Sequence, residues 1–262
     1  MSVTALAPAP VRSPLPDGLA GSTVVVLGGT SGIGLAAGRL LHGVGARVVL
    51  VGRDRNRLDS AVAEVSAGDA AGTVLGATAD AADEDAVRAV FDLAGRVDHV
   101  LLTAGSLTGG GPLETLTAES VRAAFDGRVW AALAAARVAA ERLPAGGSIT
   151  LTSGLFTIRP IPGVSGAAAA IGGVETLAPA LAVELAPRRL RVNAVRYGSF
   201  DTPLMRTLGG LPTDEAIAAA GSTTPLGRYG TPEEAAAAAI LLMSNTYITG
   251  QILTIDGAQS LA

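Results

Sequence analysis

The clearest chemistry in the 262-residue chain lies in seven residues, Gly28-Gly29-Thr30-Ser31-Gly32-Ile33-Gly34. A phosphate approaches a backbone closely only where side chains are missing, and a helix opening just beyond such a turn adds unpaired amides and the positive end of its dipole. Glycine triplets alone are a weak signal. This one follows a short, mostly β-branched run, Thr23 to Leu27, and precedes a helical pattern, which is the context a dinucleotide-binding turn requires. A tight turn with no ligand is the alternative. At the end of the second strand, roughly 20 residues on, a binder of the unphosphorylated cofactor places an acid on the ribose hydroxyls. Here the residue is Arg53, whose guanidinium suits a 2′-phosphate and so points to NADP(H) over NAD(H). Asp54 beside it pulls the other way, and a solvent-facing Arg is the alternative.

Other chemistries are poorly supplied. With no cysteine there is no disulfide, thiolate nucleophile or cysteine metal site. His42 falls at a helix end, where a cation suits the dipole, and His99 at the start of a strand, away from the ligand edge; both read as structural. Two separated histidines and no clustered acids give no metal site. The net charge of −4 and the lack of a Lys/Arg cluster argue against a nucleic-acid partner, leaving small molecules or further copies of the chain. No apolar run is long enough for a signal-peptide core or a membrane span, so a soluble, cytoplasmic protein is expected.

The elements that must position the turn alternate regularly. Strands are expected at Thr23–Leu27, Arg47–Val51, Thr73–Ala77, His99–Leu102, Ser148–Thr152, Leu190–Val195 and Ile252–Ile255. Between them lie helical patterns at Gly32–His42, Arg55–Ser66, Asp83–Ala94, Ala118–Leu143 and Gly166–Ala186. Thr231-Pro232-Glu233-Glu234 is a capped helix start. This implies an α/β fold, a single doubly wound Rossmann domain over 18–262 with a parallel sheet of about seven strands and helices on both faces. Residues 1–17, rich in Ala and Pro, read as a flexible arm. The segments Ser106–Pro112 and Pro203–Thr223 read as loops that line a substrate pocket, and they carry no recognisable code.

Several motifs in order make the chain resemble the short-chain dehydrogenases/reductases from about Gly18 to its end. The glycine turn matches that family's wording except that Leu27 replaces a Thr. Asp80, with Ala81 beside it, sits where the family meets the adenine amino group, and Leu102-Thr103-Ala104-Gly105 keeps the Ala-Gly of the segment after the fourth strand. Leu181–Leu185, Arg191–Val195, Asp201-Thr202-Pro203, Pro225–Arg228, Thr249-Gly250 and Asp256-Gly257 follow in sequence. The turn and the resemblance together place cofactor contacts at Gly28, Thr30, Ser31, Gly32, Ile33, Gly34, Arg53, Asp80, Ala81, Thr103, Ala104, Gly105, Gly198 and Thr202. The resemblance also implies a homo-oligomer, dimer or tetramer, with the Ala runs Ala131–Ala136 and Ala167–Ala170 packing between subunits.

The departures fall on the catalytic machinery. The family uses a Tyr as proton donor and acceptor, a Lys four residues later that lowers its pKa, a Ser that polarises the substrate oxygen and an Asn that supports a water relay. Alignment puts the Tyr position at Ala167, the Lys position at Ile171, the Ser position at Gly154, with Ser153 one residue before it, and the Asn position at Arg128. The segment after the sixth strand reads Arg196-Tyr197-Gly198 and lacks the family's Pro. A positioned general acid is worth roughly 10² to 10⁴ in rate, so its loss leaves the gain from holding donor and acceptor together. Candidates to replace it are Arg128, as a fixed cation near oxyanion charge or as an ion pair or cofactor contact; Ser153, as a hydrogen bond to substrate or a backbone cap; and Tyr197, as a phenol or a pocket wall. An acceptor that is already electrophilic, such as an iminium, quinone, enone or activated ketone, would need no acid. Three readings stand: an NADP(H)-dependent oxidoreductase with an atypical site, a non-redox cyclase, isomerase or dehydratase on the same scaffold, and a silent cofactor-binding or partner subunit.

Overall fold

In the sequence, branched apolar runs alternate with segments of helical period; the five inner runs become strands that are mainly buried, and the two edge runs, Val74–Thr78 and Ile252–Ile255, become strands that are only partly buried. The computed structural model describes residues 12–68, 72–105 and 108–262. In chain order the elements are β1 (Thr23–Leu27), α1 (Gly32–Gly43), β2 (Arg47–Gly52), α2 (Arg55–Ser66), β3 (Val74–Thr78), α3 (Glu84–Ala94) and β4 (His99–Leu102). They continue as α4 (Ala118–Phe125), α5 (Ala131–Arg142), β5 (Ser148–Gly154), α6 (Ser165–Leu185), β6 (Arg191–Tyr197), α7 (Pro203–Leu208), α8 (Asp214–Gly221), α9 (Pro232–Ser244) and β7 (Ile252–Ile255).

All seven strands are parallel, in the order β3-β2-β1-β4-β5-β6-β7. Strand order reverses between β1 and β4, where Leu27 faces Val51 on one side and Leu102 on the other. In such a sheet the crevice for ligands opens outside the carboxyl ends of the strands at that point. Period-two alternation divides the apolar residues between two layers. Val25, Leu27, Val100 and Ile149 pack with α3, α5 and α6, and Val24, Val26, Val48 and Leu50 with α1, α2 and α9.

The sequence reading is corrected in four places. The helix expected over 118–143 is interrupted by a π-helical turn, Asp126–Trp130, between α4 and α5. The loop expected over 203–223 contains α7 and α8, each started by a threonine cap, Thr202 and Thr213, with Pro203 or Asp214 next. Of the arm expected over 1–17, the described part is docked: Arg12 donates to the Ser22 hydroxyl (2.8 Å) and the Ser244 hydroxyl to the Pro14 carbonyl (2.9 Å). The Ala runs are mainly spent inside the chain, with Ala131, Ala132, Ala134, Ala135, Ala136, Ala167 and Ala170 all buried.

Helix α6, extended to Arg188, is long and apolar enough to cross a membrane by composition. Its apolarity has an internal cause, because the helix packs on β5, β6 and α4. Gly173 permits the close approach: a Cβ there would lie 2.8 Å from Cγ2 of Val129. His42 and His99 are structural, as expected. The first bonds the Gly72 carbonyl (3.0 Å), and the second, buried and hydrogen-bonded to Ser148, is pushed down to about 3 mainly by loss of solvent.

Candidate active site

The glycine turn is built for backbone approach. Gly28 has φ +97°, and a Cβ there would stand 2.4 Å from the Ala104 nitrogen; one on Gly34 would stand 2.2 Å from the Gly28 carbonyl oxygen. No other residue fits either position. Thr103 closes the turn from β4 by donating its hydroxyl to the Gly28 carbonyl (3.0 Å), while the Ala104 amide donates to Leu27 (2.9 Å). Thr30 lies against Gly52, whose Cβ would meet it at 2.4 Å. Ser31 is the exposed N-cap residue of α1 and its hydroxyl makes no capping bond, Gly32 has φ +52°, and Ile33 packs on the second core layer. Thr202 reaches over this turn from the end of β6, its Cγ2 being 3.6 Å from where a Gly32 Cβ would be.

Beside the turn, Arg53 extends into solvent with its side chain 79 % exposed, 3.7 Å from the Asp80 carboxylate. An ion pair this exposed contributes little energy and leaves the guanidinium available to a stronger anion. Asp54, the residue that argued against a 2′-phosphate, is turned to its own helix, accepting from the Arg57 amide at 2.9 Å as the N-cap of α2. Asp80 accepts from the Ala82 amide (3.0 Å), and Ala81 is buried in the first core layer. Gly198 is required by the chain end, since its Cβ would lie 2.6 Å from that of Asp256.

Arg128 sits on the π-helical turn and lays its guanidinium across Gly105, where a Cβ would come within 2.7 Å of Cζ. A π-turn widens the helix by one residue and re-aims the side chains it carries, and such turns concentrate at functional sites. Arg128 is partly buried, and the loss of solvent lowers its pKa. Arg128 and Gly105 are thus brought together from elements far apart in sequence.

The other two catalytic candidates, Ser153 and Tyr197, have partners within the chain. Ser153 donates its hydroxyl proton to Glu175 Oε1 (2.5 Å), a residue the sequence reading passed over. Glu175 also accepts from the Thr157 hydroxyl (2.9 Å) and from both Nε (2.7 Å) and Nη2 (2.6 Å) of Arg196, which in turn donates to Thr254 (3.0 Å). Burial alone would raise the Glu175 pKa, but the bonds from Arg196, Ser153 and Thr157 outweigh it and hold the carboxyl below its ordinary value. Ser153 therefore has its proton committed to a carboxylate. Tyr197 lies on the opposite face of β6, in the layer with α9, edge-on to Phe200 with centroids 5.5 Å apart. Its phenol donates to the Ala235 carbonyl (3.1 Å), and burial raises its pKa. In the structure Tyr197 packs in the core layer with α9. The signal for Glu175 was legible: between Ser165 and Leu185 there are two charges, Glu175 and Glu184, and the first falls on the side of α6 that faces β5 and β6.

Ala167 and Ile171 stand on α6 with neither a dissociable proton nor a charge. Ala167 is buried beneath the segment after β4, donating its amide to the Gly109 carbonyl (3.1 Å). Ile171 points its Cδ1 toward the end of β5, 4.0 Å from where a Gly154 Cβ would be. Of the segment Ser106–Pro112, residues 106 and 107 lie outside the described residues. Among the described residues no group of three His, Cys, Asp or Glu is placed to hold a metal ion.

Residues 28–258 match the family described as Enoyl-(Acyl carrier protein) reductase. A curated relative, Short-chain dehydrogenase/reductase ATR9 of Stachybotrys chlorohalonatus, is 34% identical over 251 residues, covering 90% of this chain and 96% of the relative. Among solved structures, the MalC Reductase/Diels-Alderase from Malbranchea aurantiaca superposes with a TM-score of 0.87 at 32% identity, over 94% of this chain and 99% of that one. A short-chain oxidoreductase from Pseudomonas aeruginosa PAO1, described as containing an atypical catalytic center, gives 0.82 at 27% identity over 92% and 98%.

Proposed function

This chain belongs to the short-chain dehydrogenase/reductase family, and from that premise we propose that it is an NADP(H)-dependent oxidoreductase that reduces an activated acceptor without the family's Tyr/Lys acid. The cradle fits a dinucleotide: Gly28 and Gly34 leave no room for a side chain, Ser31 and Gly32 open α1, and Thr202 closes over them. When bound there, the nicotinamide supplies a hydride. Arg53 and Asp80 take the adenosine end, Thr103, Ala104 and Gly105 line the β4 end, and Arg53 is the reason to expect the 2′-phosphate, now that Asp54 is accounted for as a helix cap. The observation that carries the reading is the pairing of this intact cradle with Ala167 and Ile171, which supply no proton donor. A chain that would hold a hydride-carrying dinucleotide but lacks the acid suits acceptors such as an iminium, quinone, enone or activated ketone.

Arg128 remains the candidate for stabilising developing charge, a contribution of roughly 3 to 4 kcal/mol when preorganised. Direct titration with NADPH and NADH, followed by loss of nicotinamide absorbance on adding electrophilic acceptors or plain aliphatic ketones, tests the reading. Tighter NADPH binding and turnover confined to electrophilic acceptors is the expected result; robust reduction of simple ketones would show a substitute acid. A second reading, non-redox cyclisation on the same scaffold, is favoured by the neighbour described as a reductase and a Diels-Alderase. It predicts conversion of a substrate with no cofactor consumed. We further propose a homo-oligomer, with Phe125 and Trp130, 39% and 43% exposed on the α4–α5 stretch, in its interface; light scattering reads its size.

A further inference from the structure

The end of the sheet opposite the glycine turn carries buried polar groups that the fold does not use up. Strand register sets His99, Ser148 and Arg191 side by side at the amino ends of β4, β5 and β6, so their side chains share one face. It is the face covered by α9, whose last carbonyls Arg191 caps, Nη1 donating to Leu242 (2.6 Å) and Nη2 to Met243 (2.6 Å). The buried Nε of Arg191 meets no acceptor, and among the described residues no carboxylate pairs with this guanidinium. His99 is 6% exposed and has one ring nitrogen accounted for. The Ser148 hydroxyl has no other partner among the described residues, so it donates to Nδ1 (2.8 Å), and the ring proton stands on Nε2 with no acceptor. Burial, Arg191 and Arg12 all disfavour a charged ring, so His99 offers a hydrogen bond and not a charge.

His99 lines a cavity of about 50 Å³ enclosed by these strand ends, the last turn of α9 and the segment from Arg12 to Gly18. That is several times the space one water needs and about what a phosphate group fills. Arg12, Arg96 and Asp98 line it too. Arg12 donates to the Ser22 hydroxyl (2.8 Å) and has no carboxylate partner among the described residues. Arg96 holds Asp98 (Nη2 to Oδ1, 2.9 Å), whose other oxygen takes the Thr23 amide (3.0 Å). Three guanidiniums thus stand around the His99 ring and its cavity against one carboxylate. A buried donor without an acceptor is costly, and a positive excess beside it suits an anion with several acceptor oxygens. We propose that this cavity is a second ligand site, separate from the dinucleotide crevice, that takes a phosphate-sized oxyanion. His99 Nε2 donates to it from the floor, and Arg12 and Arg96 hold it at the mouth. The site stands whether or not the crevice transfers hydride.

The chain has only two histidines, which makes the test local. Protein labelled with ¹⁵N in histidine shows both rings by NMR, and His42, bonded to the Gly72 carbonyl, is the internal control. Titration with sodium phosphate near neutral pH, against sodium chloride of matched ionic strength, should move the His99 Nε2 and its proton along a saturating curve with a Kd of about 1 mM or tighter and leave His42 in place. Arg12→Met should weaken binding about tenfold, the scale of one lost charge-assisted hydrogen bond. Arg53→Ala, at the other end of the sheet, should leave the curve unchanged. Phenyl phosphate tells a free anion from a phosphate ester: a weaker curve than that of phosphate assigns the first, an equal or tighter one the second. Movement no larger than in chloride, or equal movement of both rings, overturns the site. So does an unchanged curve in Arg12→Met, or loss of the response in Arg53→Ala, which would put the phosphate in the crevice. Arg12 is exposed, and if its variant nevertheless fails to fold, the phosphate and chloride titrations of the unmodified protein decide.

Discussion

The two edges of the ligand crevice solve their problems with different materials. On the β1–α1 side the work is done by backbone: Gly28 and Gly34 admit no Cβ, and the capping of α2 by Asp54 leaves Arg53 as the forward charge. On the β5–α6–β6 side the fold is equally intact, yet its side chains have turned inward. Glu175 and Arg196 face each other with Ser153 and Thr157 attached, Tyr197 packs under α9, and Ala167 and Ile171 offer no chemistry. A binding task performed by missing side chains tolerates no substitution, whereas a reaction performed by side chains can be rewritten without disturbing the scaffold.

The sharpest way to break this contrast is to attack the inward-turned network. Glu175→Ala leaves Arg196 largely buried without its counter-charge, the two side chains being 13% and 15% exposed, and should cost about 3 to 5 kcal/mol. At this chain length that is roughly a 6 to 20 °C fall in Tm. Because the folded Glu175 pKa is lowered, its contribution is fully present above the ordinary value of 4.5 and is lost as pH falls through the folded value. Urea denaturation across that window should show the loss in the unmodified protein and a shallower dependence in Glu175→Gln. A cost under about 1 kcal/mol would mean the network is not holding the β5 and β6 ends together.

Restoring the family's groups probes the same edge. In the double variant Ala167→Tyr with Ile171→Lys, the new residues share a helix face. Both positions are buried, so overpacking should cost about 1 to 3 kcal/mol, with the burial of a Lys added to it. No ketone reduction is expected. Ketone turnover would mean that the edge is merely disarmed and that the space above α6 is open.

On the cradle side, Arg53→Ala should narrow the gap between NADPH and NADH by about 1 to 3 kcal/mol, read by fluorescence titration. The smallest effect belongs to Tyr197→Phe, which loses one hydrogen bond to the Ala235 carbonyl and should cost about 0.5 to 1.5 kcal/mol with turnover unchanged. Abolished turnover at full stability would return Tyr197 to the reaction.

The contrast also governs what could be read in advance. The inner strands, the parallel arrangement and the glycine turn were legible because burial on both faces forces continuous apolar runs, because strands and helical patterns alternate regularly, and because close approach forces glycine. The π-turn at Asp126–Trp130 was not, since no residue type compels it and the flanking pattern is helical throughout. Helices α7 and α8 were hidden by their brevity, although Thr202-Pro203 and Thr213-Asp214 announce their caps. Ser153 was read as chemistry because it falls one residue before the position of the family's Ser, and Tyr197 because it falls at the ligand-facing end of the sixth strand. Which way each side chain turns depends on partners, Glu175 and Ala235, more than 20 residues away in sequence.

On the proposed function, hydride passes at this edge without a resident acid. Unmodified protein incubated with NADPH deuterated at the transferring position and an enone tests it directly, with mass spectrometry locating the label. Deuterium on the β-carbon of the saturated product, with no label entering a simple aliphatic ketone under the same conditions, is the expected result. Label in the ketone at a comparable rate would contradict the claim, as would conversion of the enone with no label transferred.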